Sequence, residues 1–286
     1  MALIGVVGMG VMGVGVAQNL AQAGHRVVVT DQSAEILEKG RGLVERNSRM
    51  SQMFGGRRLD VPAIMNAITL STDLTDLAAA EIVVENITEN FELKREVYRR
   101  LDEICAPETV FVANTSAIPI TKLAGVTRRP AQVVGVHFMN PVPLKPVVEL
   151  IPGYHTSAET LDRVRTLLKE MGKQPIQVKD ACGFVSNRVL MLTVNEAAYL
   201  VYEGTATAEQ VDEVFRGCFG HPMGPLETAD LIGVDTILYS IQMLYENFAD
   251  SKYRPCPLLA QMTDAGLHGR KSGRGFYTYD RLTAEA

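Results

Sequence analysis

The chain has 286 residues, 47% hydrophobic and 21% charged, with 28 basic against 33 acidic side chains and a net charge of −5. That is an ordinary globular composition, long enough for two domains or one large α/β domain, and it lacks the basic excess that nucleic acid attracts. The four cysteines, Cys105, Cys182, Cys218 and Cys256, form no C-x-x-C pair, so no zinc or redox motif is present; buried thiols in a reducing compartment are expected.

The first seventeen residues carry no charge and resemble a membrane or leader segment only superficially. They include glycines at 5, 8, 10, 13 and 15, and no basic residue precedes Arg26, whereas a signal peptide begins with positive charge. A cytoplasmic protein with no membrane partner is expected. Leu3–Val7 predicts a buried strand that runs into Gly8-Met9-Gly10-Val11-Met12-Gly13, followed by a helical stretch up to Gly24. Arg26–Thr30 predicts a second strand, closed by Asp31.

A G-x-G-x-x-G turn set between a strand and a helix, with an acidic residue about twenty positions on, predicts a dinucleotide site. Gly8 permits the tight turn, Gly10 lets the backbone approach a pyrophosphate, and Gly13 lets helix and strand pack closely. The helix N-terminus, including Val11 and Met12, then offers its unpaired N–H groups to phosphate. Asp31 accepts from the ribose hydroxyls and repels a 2′-phosphate, and Gln32-Ser33 provides no arginine to hold one. NAD is therefore the expected cofactor.

Residues 34–70 predict two helices, the second starting near Asp60-Val61-Pro62. Between Lys39 and Arg58 the basic residues Lys39, Arg41, Arg46, Arg49, Arg57 and Arg58 stand against Glu45 alone, a local inversion of charge in an acidic protein. It serves either as a solvated helical face or as a handle for an anionic substrate tail; Arg49, Arg57 and Arg58 are the substrate candidates. Ile82–Glu85 and Thr109–Ala113 predict further strands, separated by a helix opening at Glu89–Lys94 and ending near Cys105. The repeated β–α order implies a mostly parallel, Rossmann-type sheet with helices on both faces, and ligands bind beyond the carboxyl ends of such strands. Gly8, Asp31, Ser116 and His137 each fall at or just past one of those ends.

The segment His137-Phe138-Met139-Asn140-Pro141 follows a short apolar strand, and Pro141, Pro143 and Pro146 make the next residues a stiff turn. The chain returns on Val147-Val148-Glu149-Leu150, which can bring His137 and Glu149 side by side. A carboxylate on one ring nitrogen fixes the tautomer and leaves the other nitrogen to take a proton. Thr156-Ser157-Ala158-Glu159 predicts a capping box for a helix ending at Gly172, and Gln174–Lys179 a last strand. From Phe184 to Gly204 the pattern is helical and apolar on most faces, Thr207–Gln210 caps another helix, and 224–248 holds at least one more. The expected domains are residues 1–183, binding the dinucleotide, and an all-helical 184–286. Asn187, in the first turn of the boundary helix, can face the cleft between them.

These motifs resemble the L-3-hydroxyacyl-CoA dehydrogenase family, including the 3-hydroxybutyryl-CoA dehydrogenases. The likeness runs through Gly8–Gly13, Glu85–Lys94, Asn114-Thr115-Ser116, His137–Pro141, Glu149, Gly183–Arg188, His221–Pro225 and Lys271–Tyr277. It implies a catalytic pair of His137 and Glu149, substrate-oxygen ligands at Ser116 and Asn187, and residues near the cofactor at Glu89, Lys94 and Asn114. Asn140 joins the implied substrate contacts, and the helical domain is implied to form a homodimer. Two departures stand out: Asn86 replaces a usually small residue, and Ala117 a usual second serine. Glu85–Asn90 and Phe248–Pro257 look more like a branch making polyketide extender units, whose substrates, such as glyceryl, ride on an acyl carrier protein. The expected reaction is reversible NAD-dependent oxidation of a 3-hydroxyacyl thioester of coenzyme A, or of a carrier protein, without a metal. Its rivals are a lysine-based hydroxyacid dehydrogenase, in which the His137–Pro141 motif is not expected, and a non-catalytic NAD-binding protein.

Overall fold

Four consecutive buried residues in β1 (Leu3–Val7) mark it as a strand covered on both faces, and Gly8–Gly10 hand the chain to α1 (Val11–Gln22). The computed structural model describes residues 2–53 and 59–279; Arg57 and Arg58 lie outside the described residues. After β2 (Arg26–Thr30) come α2 (Ala34–Met53) and α3 (Val61–Asn66), the latter capped by Asp60, whose carboxylate accepts from the Ala63 N–H at 3.0 Å. Then follow β3 (Ile68–Ser71), β4 (Ile82–Glu85), α4 (Phe91–Ile104), β5 (Val110–Ala113), α5 (Ile120–Ala124) and β6 (Val133–His137). The first unit closes with β7 (Val147–Pro152), α6 (Ala158–Glu170) and β8 (Gln174–Gln177).

The eight strands form one sheet in the order β3-β2-β1-β4-β5-β6-β7-β8. Every neighbouring pair is parallel except β6 with β7. Two local expectations are corrected. Residues 34–70 are not helical to their end: Ile68–Ser71 pairs with Val27–Thr30 as the edge strand. Four residues with one buried side chain carry too little periodicity to show this, and the ladder to β2 supplies what the pattern lacks. The box expected at α6 is also different: Ser157 accepts from Thr160 N, while the Thr156 hydroxyl donates to Val133 O.

The chain divides into compact units at Met1–Ala181 and Cys182–Ala286. The second contains α7 (Ser186–Tyr202), α8 (Ala208–Phe219), α9 (Pro225–Ile232), α10 (Val234–Phe248) and α11 (Pro257–Asp264). Two buried aspartates hold its last segment. Asp212 accepts from Leu226 N, Glu227 N and the Tyr277 hydroxyl; Asp230 accepts from Phe276 N, Tyr277 N and the Tyr279 hydroxyl. Burial pushes the Asp230 carboxyl above the usual range, against the pull of those donors. Three cysteines are buried as expected, but Cys218 is exposed, because it lies on the outer side of α8 near its end. No described helix is long and apolar enough to cross a membrane.

Candidate active site

At the carboxyl end of β1, Gly8 takes a positive φ of 91°, and its N–H donates to Thr30 O at 2.8 Å. A Cβ on Gly13 would stand 1.8 Å from Gly8 O, so α1 and the turn approach too closely for any side chain there. Asp31 accepts from Met9 N at 2.8 Å and Ser33 N at 3.3 Å, tying the end of β2 to the glycine turn. The first turn of α1 has no acidic residue and no side-chain cap, and Val11 is 72% exposed. Open space surrounds Gly10 as well, with no atom within 4 Å of a notional Cβ. An uncapped helix N-terminus beside a ribose-competent aspartate fits a dinucleotide's pyrophosphate and adenosine.

The antiparallel β6–β7 pair sets His137 directly opposite Glu149. Both side chains are buried, and His137 Nδ1 lies 2.8 Å from Glu149 Oε2. An ionised carboxylate only accepts, so Nδ1 carries the proton and Nε2 presents a lone pair. The connecting segment begins with a cis Asn140–Pro141 bond and makes a short 3₁₀ turn at Val142–Leu144. Val142 packs against Gly15 of α1, where a Cβ would come within 3.0 Å of it. From beneath, the Lys173 ammonium donates to Val142 O and, at 2.9 Å, to Lys145 O. Burial lowers the Lys173 pKa to about 8.

Ser116 follows β5, and its hydroxyl lies 3.0 Å from His137 Nε2. The loop bearing it is gripped by Glu89, whose Oε1 accepts from Thr115 Oγ1 at 2.5 Å, Ser116 N at 2.9 Å and Ala117 N at 2.8 Å. Lys94 lies below, 0% exposed, with its ammonium 2.7 and 2.9 Å from the Glu85 oxygens. It also donates to Asn114 O at 3.1 Å and Ile87 O at 3.3 Å. Burial raises the Glu85 pKa, and the Lys94 charge opposes that rise. Asn114 donates to Asn86 Oδ1 at 2.8 Å and accepts from Phe138 N at 3.3 Å, linking the ends of β4, β5 and β6.

The structure thus brings Gly8, Asp31, Glu89, Asn114, Ser116, His137 and Glu149 to the carboxyl edge of one sheet. Lys94 belongs to that cluster but has no exposed surface through which to touch a ligand. Asn140 is exposed in the proline turn, and Arg49 is exposed on α2, paired with Glu45 at 2.5 Å. Asn187 is the second residue of α7, in the helical unit. Among the described residues no cluster of three metal-ligating side chains occurs. Sequence reasoning missed the roles of Thr115, Glu85 and Lys173. Gly172-Lys173-Gln174 looks like a solvated turn, and only the fold reveals its buried ammonium.

A family model described as 3-hydroxyacyl-CoA dehydrogenase, NAD binding domain, matches residues 3–181, and one described as 3-hydroxyacyl-CoA dehydrogenase, C-terminal domain, matches residues 183–279. A probable 3-hydroxybutyryl-CoA dehydrogenase of Bacillus subtilis is 46% identical over 98% of each chain. Among solved structures, an (S)-3-hydroxybutyryl-CoA dehydrogenase from Ralstonia eutropha superposes with a TM-score of 0.92 at 42% identity, covering 98% of this chain and 100% of that one. A Mycobacterium tuberculosis protein of 37% identity gives a TM-score of 0.94 over 97% of this chain and 98% of its own.

Proposed function

This chain belongs to the 3-hydroxyacyl-CoA dehydrogenase family, and from that premise we propose that it interconverts a 3-hydroxyacyl thioester and its 3-oxoacyl counterpart with NAD. The observation that carries the reading is His137, bonded to Glu149 through Nδ1 and to Ser116 through Nε2. Bound NAD supplies the hydride acceptor. The turn from Gly8 to Gly13, with Gly10, Val11 and Met12 at the helix N-terminus, would hold its pyrophosphate, and Asp31 would accept from its adenosine ribose. His137 Nε2 takes the proton of the 3-hydroxyl, and Glu149 stabilises the imidazolium that forms. Ser116 then donates to the oxygen that becomes the carbonyl, and the family resemblance assigns Asn187 the same task. This arrangement disfavours a non-catalytic NAD-binding protein, because a buried carboxylate–imidazole pair aimed at a hydroxyl is costly to maintain without use.

Coenzyme A is the carrier we favour, since the similar proteins named above act on its thioesters by their printed names. A second reading keeps the chemistry and places the acyl group on an acyl carrier protein. Lys39, Arg41, Arg46 and Arg49 are exposed along α2 and suit either a phosphorylated tail or an acidic helix. The helical unit exposes Val189, Tyr202, Val214, Phe219 and Leu231, which supports a homodimer through that unit. The test follows NADH consumption with acetoacetyl-CoA and with the same acyl group on a carrier protein, at equal concentrations. Turnover of the coenzyme A substrate is expected; turnover of the carrier-bound substrate alone moves the assignment to the second reading. Consumption of neither, with NADH still bound, overturns both.

A further inference from the structure

We propose that Glu89 is a positioning residue for Ser116, its carboxylate clamping the Thr115 hydroxyl and the Ser116 and Ala117 N–H groups so that the Ser116 hydroxyl stays on His137 Nε2. Residues 115–119 form a loop between β5 and α5 without a strand ladder to hold them. One oxygen of Glu89 replaces that ladder, collecting donors from three consecutive residues. Bonds to an ionised acceptor are shorter and stronger than neutral ones, and three from adjacent residues fix both the height and the tilt of a loop. Ala117 takes part through its N–H alone, so the serine expected there is not needed for the clamp.

The clamp is itself anchored. Glu89 Oε2 lies 3.9 Å from the Lys94 ammonium, which both Glu85 oxygens and the Asn114 carbonyl hold. Glu85 ends β4 and Asn114 follows β5, so the buried Glu85–Lys94 pair references Glu89, and through it Ser116, to the sheet. His137 takes its place from a separate support, the β6–β7 hairpin. The 3.0 Å spacing between Ser116 and His137 therefore depends on two braces, which meet where Asn114 accepts from Phe138 N. Lys94 acts through Glu89 rather than on a ligand, which accounts for a family residue with no exposed surface.

The inference rests on the proposed role of Ser116, and a double-mutant cycle on kcat separates the two. The variants are Glu89→Ala, Ser116→Ala and the pair, each also measured for NADH affinity by fluorescence titration. Each single variant is expected to lose about tenfold or more in kcat, and the double only about twofold more than Ser116→Ala. Glu89→Gln keeps an acceptor oxygen and is expected to recover part of the loss; it also carries the cycle if Glu89→Ala does not fold. NADH affinity is expected to change by about threefold at most. Losses that multiply independently overturn the proposal. So does a Glu89 defect that disappears at saturating NADH, which makes the residue a cofactor contact. Normal turnover by Ser116→Ala instead removes the reading of the site on which the proposal stands.

Discussion

His137 Nδ1 lies 2.8 Å from Glu149 Oε2, and the two residues are register partners across the antiparallel β6–β7 pair. Strand pairing therefore holds the ring and the acid together, so a variant at either position alters chemistry with little effect on the backbone. Glu149→Gln keeps the shape, and its amide oxygen still accepts from Nδ1–H, but it no longer offsets the imidazolium charge. A kcat loss of about 10²-fold is expected, and His137→Gln, which removes the base, should lose about 10²- to 10⁴-fold. Steady-state kinetics beside an NADH fluorescence titration checks both. Near-normal turnover by His137→Gln would remove the base from the mechanism.

Two glycines of the first turn are separable by what surrounds them. An added methyl at Gly13 would lie 1.8 Å from Gly8 O, whereas at Gly10 no protein atom comes within 4 Å. Gly13→Ala is therefore expected to lower the melting temperature and weaken NADH binding together. Gly10→Ala should melt like the parent and lose about tenfold or more in NADH affinity, since only an approaching pyrophosphate meets the methyl. Thermal melts and fluorescence titrations of both variants test this. Unchanged NADH affinity in Gly10→Ala would place the pyrophosphate elsewhere.

The parts of the site visible in the sequence are those whose partners are close along the chain or bound by a repeating motif. Gly8–Gly13 and Asp31 belong to one β–α–β unit, and the three prolines after His137 predict a return that brings Glu149 back after twelve residues. The Ser116 loop is different. Its clamp spans 27 residues to Glu89, and nothing in either segment announces the other. Lys94 shows why position and role diverge: the family resemblance implies a residue near the cofactor, while burial against Glu85 turns it inward. Ile68–Ser71 was hidden for a third reason, since an edge strand of four residues exists by virtue of its neighbour.

Lys173 offers a test of how the proline turn is supported. Its ammonium is buried, donates to the Val142 and Lys145 carbonyls, and has a pKa lowered from 10.5 to about 8 by burial. In the unfolded chain the amine keeps its proton until about pH 10.5, while in the folded chain it gives it up near 8. Between those values the unfolded state binds more protons, so this group's contribution to stability rises with pH across the window and is lost again as pH falls toward 8. At ~1.4 kcal/mol for each tenfold change in proton affinity, the full rise is at most ~3.5 kcal/mol. Lys173→Met has no such group, so the stability of the parent relative to this variant should be flat at neutral pH and climb above pH 8. Urea denaturation of both proteins over a pH series measures that difference. A difference that stays flat across the window would mean that the folded amine keeps its proton as long as the unfolded one does, and the turn under His137 and Glu149 would then rest on a full ammonium throughout.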